Sequence, residues 1–354
     1  MTAMPTPPAS DLRGASPDRV RTALRDADPL PGGCGFAGLL ADPPNRNSSN
    51  REGSLLVRDV LGRQPLFVER VALDPETDRR ATDPEAWAFD RDALADPEPV
   101  PAGSVVSANG TERVWRLPDS GPTTDREAAL SAVDDAVSAA LADLGSSPSS
   151  VTTDETADGD LAVAFSGGVD SGLVAAAVPE APCYVAGFEG SHDVAAARDA
   201  ASAMGRDLRV VEITHEDLRR AVRAVAAATG RRNPMDVAIA VPLFLTAEAA
   251  AADGFDRLAV GQGADELFGG YSEVVDPAED PRVDADTVRG ARTETVRTLP
   301  DQLERDVLAL RAAGIEPATP LLDDRVVAAA LALPDDLLVD GDERIGARRW
   351  AIWG

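Results

Sequence analysis

A serine-flanked pair of glycines, Ser166-Gly167-Gly168-Val169-Asp170-Ser171, follows directly on the apolar run LAVAF (161–165) and leads into GLVAAAV. Glycines at these positions leave no Cβ between the backbone amides and an approaching anion. Ser166 and Ser171 add hydroxyl donors, and a helix starting here adds the partial positive charge of its N-terminus. Asp170 is the odd member. Its carboxylate would repel a bare phosphate, so its presence points to a divalent cation bridging carboxylate and phosphate oxygens. The same residues read equally well as a Gly-Ser turn with a helix-capping aspartate.

Such a loop needs a strand to deliver it and a helix to follow it. The short apolar runs LAVAF (161–165), CYVAGF (183–188), LRVVEI (208–213) and RLAVG (257–261) read as strands, separated by helical patterns at 193–204, 216–228 and 238–252. That alternation predicts an α/β fold with a parallel sheet and helices on both faces, binding ligands just past the carboxyl ends of its strands. An amphipathic helix over 125–144 precedes it, and the polar stretch 145–160 reads as a loop. Before residue 122 the chain is dense in Pro, Asp and Gly. There LLVRDV (55–60), PLFVERVAL (65–73) and SVVSA (104–108) suggest β-hairpins turning at Gly62 and Asn109-Gly110. The expected organisation is a small mostly-β domain over 1–122 and an α/β domain over 123–354.

Composition removes several chemistries. The 354-residue chain contains no lysine, so all 34 basic residues are arginines. A Walker P-loop, a kinase-type strand lysine and a Schiff-base lysine are thereby excluded. His192 and His215 are too few for a three-histidine zinc site and are expected on the surface. Cys34 and Cys183 cannot build a disulfide framework or a four-cysteine metal site. The net charge of -27, spread along the whole chain, would repel nucleic acid and anionic membranes. No run of 18 apolar residues and no signal-peptide pattern are present, which gives a cytoplasmic protein as the expectation.

Arginine in place of lysine, with an acidic surface, reads as solvation for a halophile's concentrated salt. A GC-rich genome would enrich Ala, Arg, Gly and Pro without requiring so much aspartate. On the halophile reading, the melting temperature rises as potassium chloride goes from dilute to molar. Thermal melts that coincide at both extremes would overturn it.

The loop SGGVDS behind a strand resembles the pyrophosphate-binding loop of the ATP pyrophosphatases, the PP-loop superfamily that contains asparagine synthetases, NAD synthetases, GMP synthetases and argininosuccinate synthetases. Gly261-Gln262-Gly263-Ala264-Asp265-Glu266-Leu267-Phe268-Gly269-Gly270-Tyr271 is similar to the GEGADELFGGY signature of the asparagine synthetase branch, with Gln262 in place of its glutamate. The segments 187–205, 233–245 and 305–323 follow in the family's order, so the resemblance covers about 125–354. It implies an adenine nucleotide alpha hydrolase-like fold, with ATP and Mg2+ as cofactors. Ser166, Gly167, Gly168 and Ser171 would hold the β,γ-phosphates, and Ala164, Ala186 and Gly261 would hold the AMP half through their backbone. Asp170 and Asp265 would ligate magnesium. Asp265, Gln262 and Arg344 are the expected catalytic residues. Gln262 stands where a nucleophile would be oriented or deprotonated, though an amide cannot act as a general base. Glu266 reads either as support for the metal site or as a first-turn helix carboxylate. Ala318 replaces a family arginine, and Arg344, Arg348 or Arg349 would stand in for a missing phosphate-contacting lysine.

Gly33-Cys34-Gly35-Phe36-Ala37-Gly38 looks like the CGIxG start of class II glutamine amidotransferases, and Arg58–Leu66 resembles their RDxxGxKPLY strand. In that family the cysteine is N-terminal and its free amine is the base. Here 33 residues precede Cys34, and the glutamine-gripping RGPD and NGE segments are absent. The expectation is a shortened, inactive remnant with a structural or regulatory role. Set against that resemblance, the chain is also expected to stop earlier than typical relatives and to lack helices that help close their substrate pocket. Taken together, the resemblance implies a ligase that adenylates a carboxylate, aspartate by analogy, and amidates it with ammonia. Two alternatives stand beside it: a PP-loop enzyme adenylating another substrate, and a nucleotide-binding regulatory protein without turnover. Expected partners are small molecules, with neither membrane nor nucleic acid among them. The oligomeric state stays open, a homodimer being one option.

Overall fold

The computed structural model describes residues 10–41, 53–74, 76–119, 121–145, 160–278, 280, 283–340 and 343–344. The chain divides into two compact units between Leu117 and Pro118.

The first unit runs β1 (Asp11–Arg13), α1 (Pro17–Asp26), β2 (Ala37–Leu40), β3 (Leu55–Arg58), β4 (Phe67–Glu69), β5 (Trp87–Ala88), β6 (Pro97–Pro99), β7 (Ser104–Ser107) and β8 (Gly110–Arg113). One antiparallel sheet has the order β1-β2-β3-β7-β8 and a second the order β5-β4-β6. Helix α1 starts where Ser16 Oγ accepts from the Arg19 amide and Pro17 presets the first turn. It buries Val20 and Ala23 in a cluster with Phe36 and Trp115, whose rings meet edge to face at 5.3 Å. A second apolar cluster gathers Leu56, Leu66, Val68, Val100 and Val106.

One expected hairpin forms and another does not. β7 and β8 pair around Ala108-Asn109, Ser107 facing Gly110. The segments 55–60 and 65–73, by contrast, are not partners: β3 lies in the larger sheet, and β4 pairs with β5 and β6. Only Phe67–Glu69 of the second segment is strand, followed by a 3-10 turn over Arg70–Leu73. The reason is a buried turn at Asp59. Its carboxylate, fully buried, accepts from the amides of Phe36 (3.3 Å), Leu61 (3.0 Å) and Arg63 (3.0 Å), and from Arg63 Nε at 2.8 Å. The buried Arg58 guanidinium donates to the carbonyls of Gln64, Val100 and Gly62. Together they fold 58–64 tightly and send the chain to a different sheet.

The second unit contains α2 (Arg126–Gly145), β9 (Leu161–Ala164), α3 (Val169–Ala177), β10 (Cys183–Gly187), α4 (His192–Met204), β11 (Leu208–Glu212), α5 (His215–Thr229) and α6 (Pro234–Ala252). It continues through β12 (Arg257–Ala259), α7 (Ala264–Phe268), α8 (Val288–Ala312), β13 (Glu316–Ala318), α9 (Asp324–Leu331) and the pair β14 (Val339–Asp340) and β15 (Glu343–Arg344). Five strands form the parallel sheet the alternation predicts, in the order β11-β10-β9-β12-β13. Ala162, Tyr184, Leu258 and Val260 pack on Ala247 and Ala250 of α6 and Leu310 of α8, with α5 behind them. Helix α3 packs on β9 and α4 on β10 and β11, while α2 joins α3 to α9. The 146–159 part of the expected loop lies outside the described residues.

Helix α6 begins earlier than its apolar pattern suggests, because Asn233 Oδ1 accepts from the Met235 amide and Pro234 occupies the first turn. Among the described helices it is the one long and apolar enough to cross a membrane, with a mean hydropathy of 1.6. Its buried Val241, Phe244, Leu245 and Ala247 make it a core helix of this unit. Both histidines open helices and are exposed, His192 on α4 and His215 on α5.

Candidate functional site

Strand order reverses between β9 and β12: the chain builds outward from β9 through β10 to β11, then returns to the other side of β9. A sheet of this kind opens a crevice at such a switch point, beyond the carboxyl ends of the two strands. The loop Ser166–Gly168 leaves β9 there, and Gly261–Gly263 leaves β12 beside it. The two loops are in contact. A Cβ on Gly261 would stand 3.0 Å from both C and Cβ of Asp170. Ala164 closes β9, and Ala186 is the last residue but one of the neighbouring β10.

Within the first loop the hydroxyls are organised locally. Ser171 Oγ donates to the Gly168 carbonyl at 3.1 Å and lies 3.2 Å from Ser166 Oγ, which accepts from the Gly168 amide at 3.4 Å. Gly167 has φ +79°, and a Cβ there would come within 2.6 Å of the Ala196 carbonyl oxygen on α4. Only glycine meets both conditions. Gly168 is the extended N-cap of α3 and makes no side-chain cap, so the first turn of that nine-residue helix keeps amides for an outside acceptor.

Three carboxylates act on one another here. Burial raises the pKa of Asp170 from 3.8 to about 6, and the charges of Asp265 and Glu266 push in the same direction. Asp265 is exposed, while Glu266 is buried on the next position of α7. Burial also pushes Glu266 up, against the pull of a 2.6 Å hydrogen bond donated by Tyr271 Oη. Burial and Glu266 in turn drive the Tyr271 phenol far above its ordinary range. Tyr271 thus anchors the buried Glu266 and was not apparent from sequence as more than a motif letter. Gly270 is small for a reason: a Cβ on it would collide with the Asp265 carboxylate.

Among the described residues no group of three or more His, Cys, Asp or Glu is gathered tightly enough to hold a metal ion by itself. Magnesium asks for less, since one or two carboxylates with phosphate oxygens and water complete its shell. Asp170 and Asp265 fit that requirement, because the charge crowding that raises Asp170 is what a cation relieves.

Gln262 is partly buried and donates from Nε2 to Asp306 Oδ2 at 2.5 Å. Asp306, deep in α8, is pushed up by burial and pulled back by Arg305, which binds both of its oxygens. Neither residue had a local signal in sequence, as each stands 40 or more positions from Gln262. Ala318 closes β13, and its carbonyl accepts from the Val260 amide at 2.9 Å. The backbone of Arg344 pairs with Val339 in the β14–β15 pair. The Arg344 side chain, like Arg348 and Arg349, lies outside the described residues, so no phosphate contact is assigned to any of them.

Comparison with known proteins bears on this arrangement. The asparagine synthase family matches residues 149–292 and 275–351. A Methanocaldococcus jannaschii protein named as a glutamine-hydrolyzing asparagine synthetase is 33% identical over 172 residues, which cover 48% of this chain and 32% of that protein. Brassica oleracea asparagine synthetase is 26% identical over 208 residues, covering 54% of this chain and 34% of its own. The nodule asparagine synthetase of Pisum sativum is 28% identical over 123 residues, covering 31% and 21% respectively. The match thus spans about a third or less of each relative's length.

Proposed function

Because the chain belongs to the asparagine synthase family, we propose that it is an ATP-dependent ligase that adenylates a carboxylate and converts it to an amide. The observation that supports this most directly is the contact of the SGGVDS loop with the Asp265-bearing loop at the switch point between β9 and β12. In the first step a substrate carboxylate oxygen attacks the α-phosphorus of ATP, and the α,β-bridging bond breaks to release pyrophosphate. In the second, ammonia attacks the acyl carbon, AMP leaves, and one proton is lost. Aspartate is the acid by family analogy.

The amides and hydroxyls of Ser166–Ser171 bind the β,γ-phosphates and orient them for in-line departure. Backbone groups at Ala164, Ala186 and Gly261 receive the AMP half. Asp170 and Asp265 hold magnesium, which when bound supplies charge neutralisation for departing pyrophosphate. Tyr271 and Glu266 keep α7 in place beneath Asp265. Retention of both metal carboxylates favours turnover over nucleotide binding alone.

The nitrogen donor in this proposal is ammonia, with the first unit an inactive remnant. Cys34 lies in a peptide linkage between Gly33 and Gly35 in a loop that Arg63 and Asp59 brace, through the Gly33 carbonyl and the Phe36 amide. A class II glutaminase needs its cysteine's own free amine as base. Amide formation is therefore expected to run on ammonium salts, with glutamine ineffective and Cys34→Ala without effect on ammonium-driven turnover. Purified protein in high salt, with ATP, magnesium and candidate acids, is assayed for pyrophosphate and amide with each nitrogen source. Pyrophosphate release with no acid at all would sink the ligase. Glutamine-driven turnover lost in Cys34→Ala would sink the ammonia assignment.

A further inference from the structure

Helix α6 is longer than the sheet it covers. Its 19 residues run about 28 Å, against roughly 17 Å for the five residues of β10 on which it packs. Asp253, at its C-terminal end, accepts from Tyr184 Oη near the start of β10 at 2.6 Å, and the chain then enters β12. The helix therefore runs antiparallel to the strands, and its N-terminal half rises past their carboxyl edge, where the candidate site lies. One stripe of the helix shows the consequence. Met235, Ile239, Pro242, Thr246, Ala249 and Ala250 share a side at helical spacing. At the lower end Thr246 is buried, and Ala249 and Ala250 pack with Ala162, Tyr184 and Leu258 of the strands. At the upper end the strands have stopped, and Met235 is 67% and Ile239 47% exposed. Phe188, also 47% exposed, is the first residue past β10, two positions beyond Ala186, which packs in one cluster with Ala240 and Val241 of α6. Three of the six exposed large apolar side chains among the described residues thus line the space above the sheet.

This wall is tied to the loop past β12. Asp236, next to Met235, accepts from Arg305 Nη1 at 3.3 Å. Arg305 clasps both oxygens of Asp306, which in turn accepts from Gln262 Nε2 at 2.5 Å. We propose that Met235, Ile239 and Phe188 are specificity-determining residues that receive an apolar body on the carboxylic acid the ligase adenylates, in place of the aspartate taken from family analogy. The assignment rests on the ligase proposal above and names its substrate class. Apolar surface left bare at the mouth of a ligand crevice favours a ligand that removes it from water. A second carboxylate on the acid meets the opposite conditions. Arg305, the guanidinium tied to the first turn of α6, already commits Nε, Nη1 and Nη2 to Asp306 and Asp236. β13 ends in Ala318 where the resemblance places arginine, and Asp170, Asp265 and Glu266 already crowd the crevice with negative charge.

The test is a panel of acids read by exchange of label between pyrophosphate and ATP, with magnesium in high salt. Straight-chain acids of rising length are expected to gain about three- to fivefold in kcat/KM per methylene until the wall is covered, and the best of them to exceed aspartate by more than about tenfold. Met235→Ser with Ile239→Ser is expected to lower kcat/KM for that acid about 10- to 100-fold, while KM for ATP moves less than about threefold. Phe188→Ser, on a different element, is expected to lower the same constant. Thermal melts without substrates separate lost folding from lost recognition. Added acid is also expected to raise the melting temperature of the parent more than that of the double variant, which reads binding apart from turnover. Aspartate preferred over every apolar acid, or an unchanged acid profile in the double variant, overturns the assignment and leaves the ligase standing. A dimer in sedimentation that the double variant splits, with the acid profile unchanged, gives the surface to a second copy of the chain and overturns it equally. If the parent exchanges no label with any acid, the ligase proposal itself has failed, and this assignment falls with it.

Discussion

Asp170→Asn is expected to lower pyrophosphate release by at least about 10²- to 10³-fold, and at the same time to raise the melting temperature of the metal-free protein at pH 8. The two effects share one cause. Asp170 is raised to about 6 by burial, then by the charges of Asp265 and Glu266, so the folded state holds its proton more tightly than the unfolded chain does. That preference stabilises the fold fully below the unfolded value of 3.8 and is lost as pH rises through about 6. Above this window the bare carboxylate costs stability, and asparagine removes the cost. The gap between parent and variant should close below about pH 4. Thermal melts from pH 4 to 8 with a chelator measure this sign, and repeating them with magnesium should stabilise the parent and leave the variant unmoved. Near-normal turnover, or a variant that melts lower than the parent at pH 8, would remove Asp170 from the site.

In the first unit the largest loss is expected from Asp59→Ala, about 3–5 kcal/mol. Asp59 is fully buried and serves four donors, three backbone amides and Arg63 Nε. Its removal takes a buried ion pair from the Arg63 guanidinium, 3% exposed. Arg63→Ala strands the carboxylate instead, so the two single losses should be comparable and the double variant far from additive. Urea denaturation followed at the tryptophans reads the effect, since Trp115 packs against Phe36, whose amide Asp59 holds. A midpoint within about 0.5 kcal/mol of the parent would show the turn at Asp59 to be dispensable.

Why some of the molecule can be read from its residues, and some cannot, follows from the range of the forces involved. LAVAF and CYVAGF announce strands because the two faces of an inner parallel strand are largely buried, so their apolar runs are continuous. LRVVEI, by contrast, lies at the sheet edge, is only partly buried and carries Arg209 within its run. Helix α5 is equally plain, with Thr214 and Asp217 closing a reciprocal cap on one another. Helix α1 was not read although its signals are local, with Ser16 and Pro17 at its start and Val20, Ala23 and Leu24 on one face. The hairpin expected at Gly62 failed because Asp59 and Arg63, polar letters in the sequence, are core residues through their mutual bonds. The SGGVDS loop and the α7 motif are local, and their positions follow from the strands that precede them. Asp306 is not local. Its place beside Gln262 is fixed by packing of α8 on the sheet, and nothing in the letters near either residue announces it.

The reversal of strand order has a kinetic consequence. Val163 and Ala259 face one another across β9 and β12, yet two complete strand–helix units lie between them in the chain. Closing that pairing requires a long loop to be ordered before any contact rewards it, which makes it a slow step relative to formation of the intervening helices. The two loops of the proposed phosphate site come from opposite sides of that closure. A partly folded chain with β9, β10 and β11 already zipped would hold SGGVDS alone and have little grip on nucleotide. Nucleotide affinity should therefore appear late in refolding, together with the last sheet contacts. Once present, the ligand would act as a latch on the pairing that created its site.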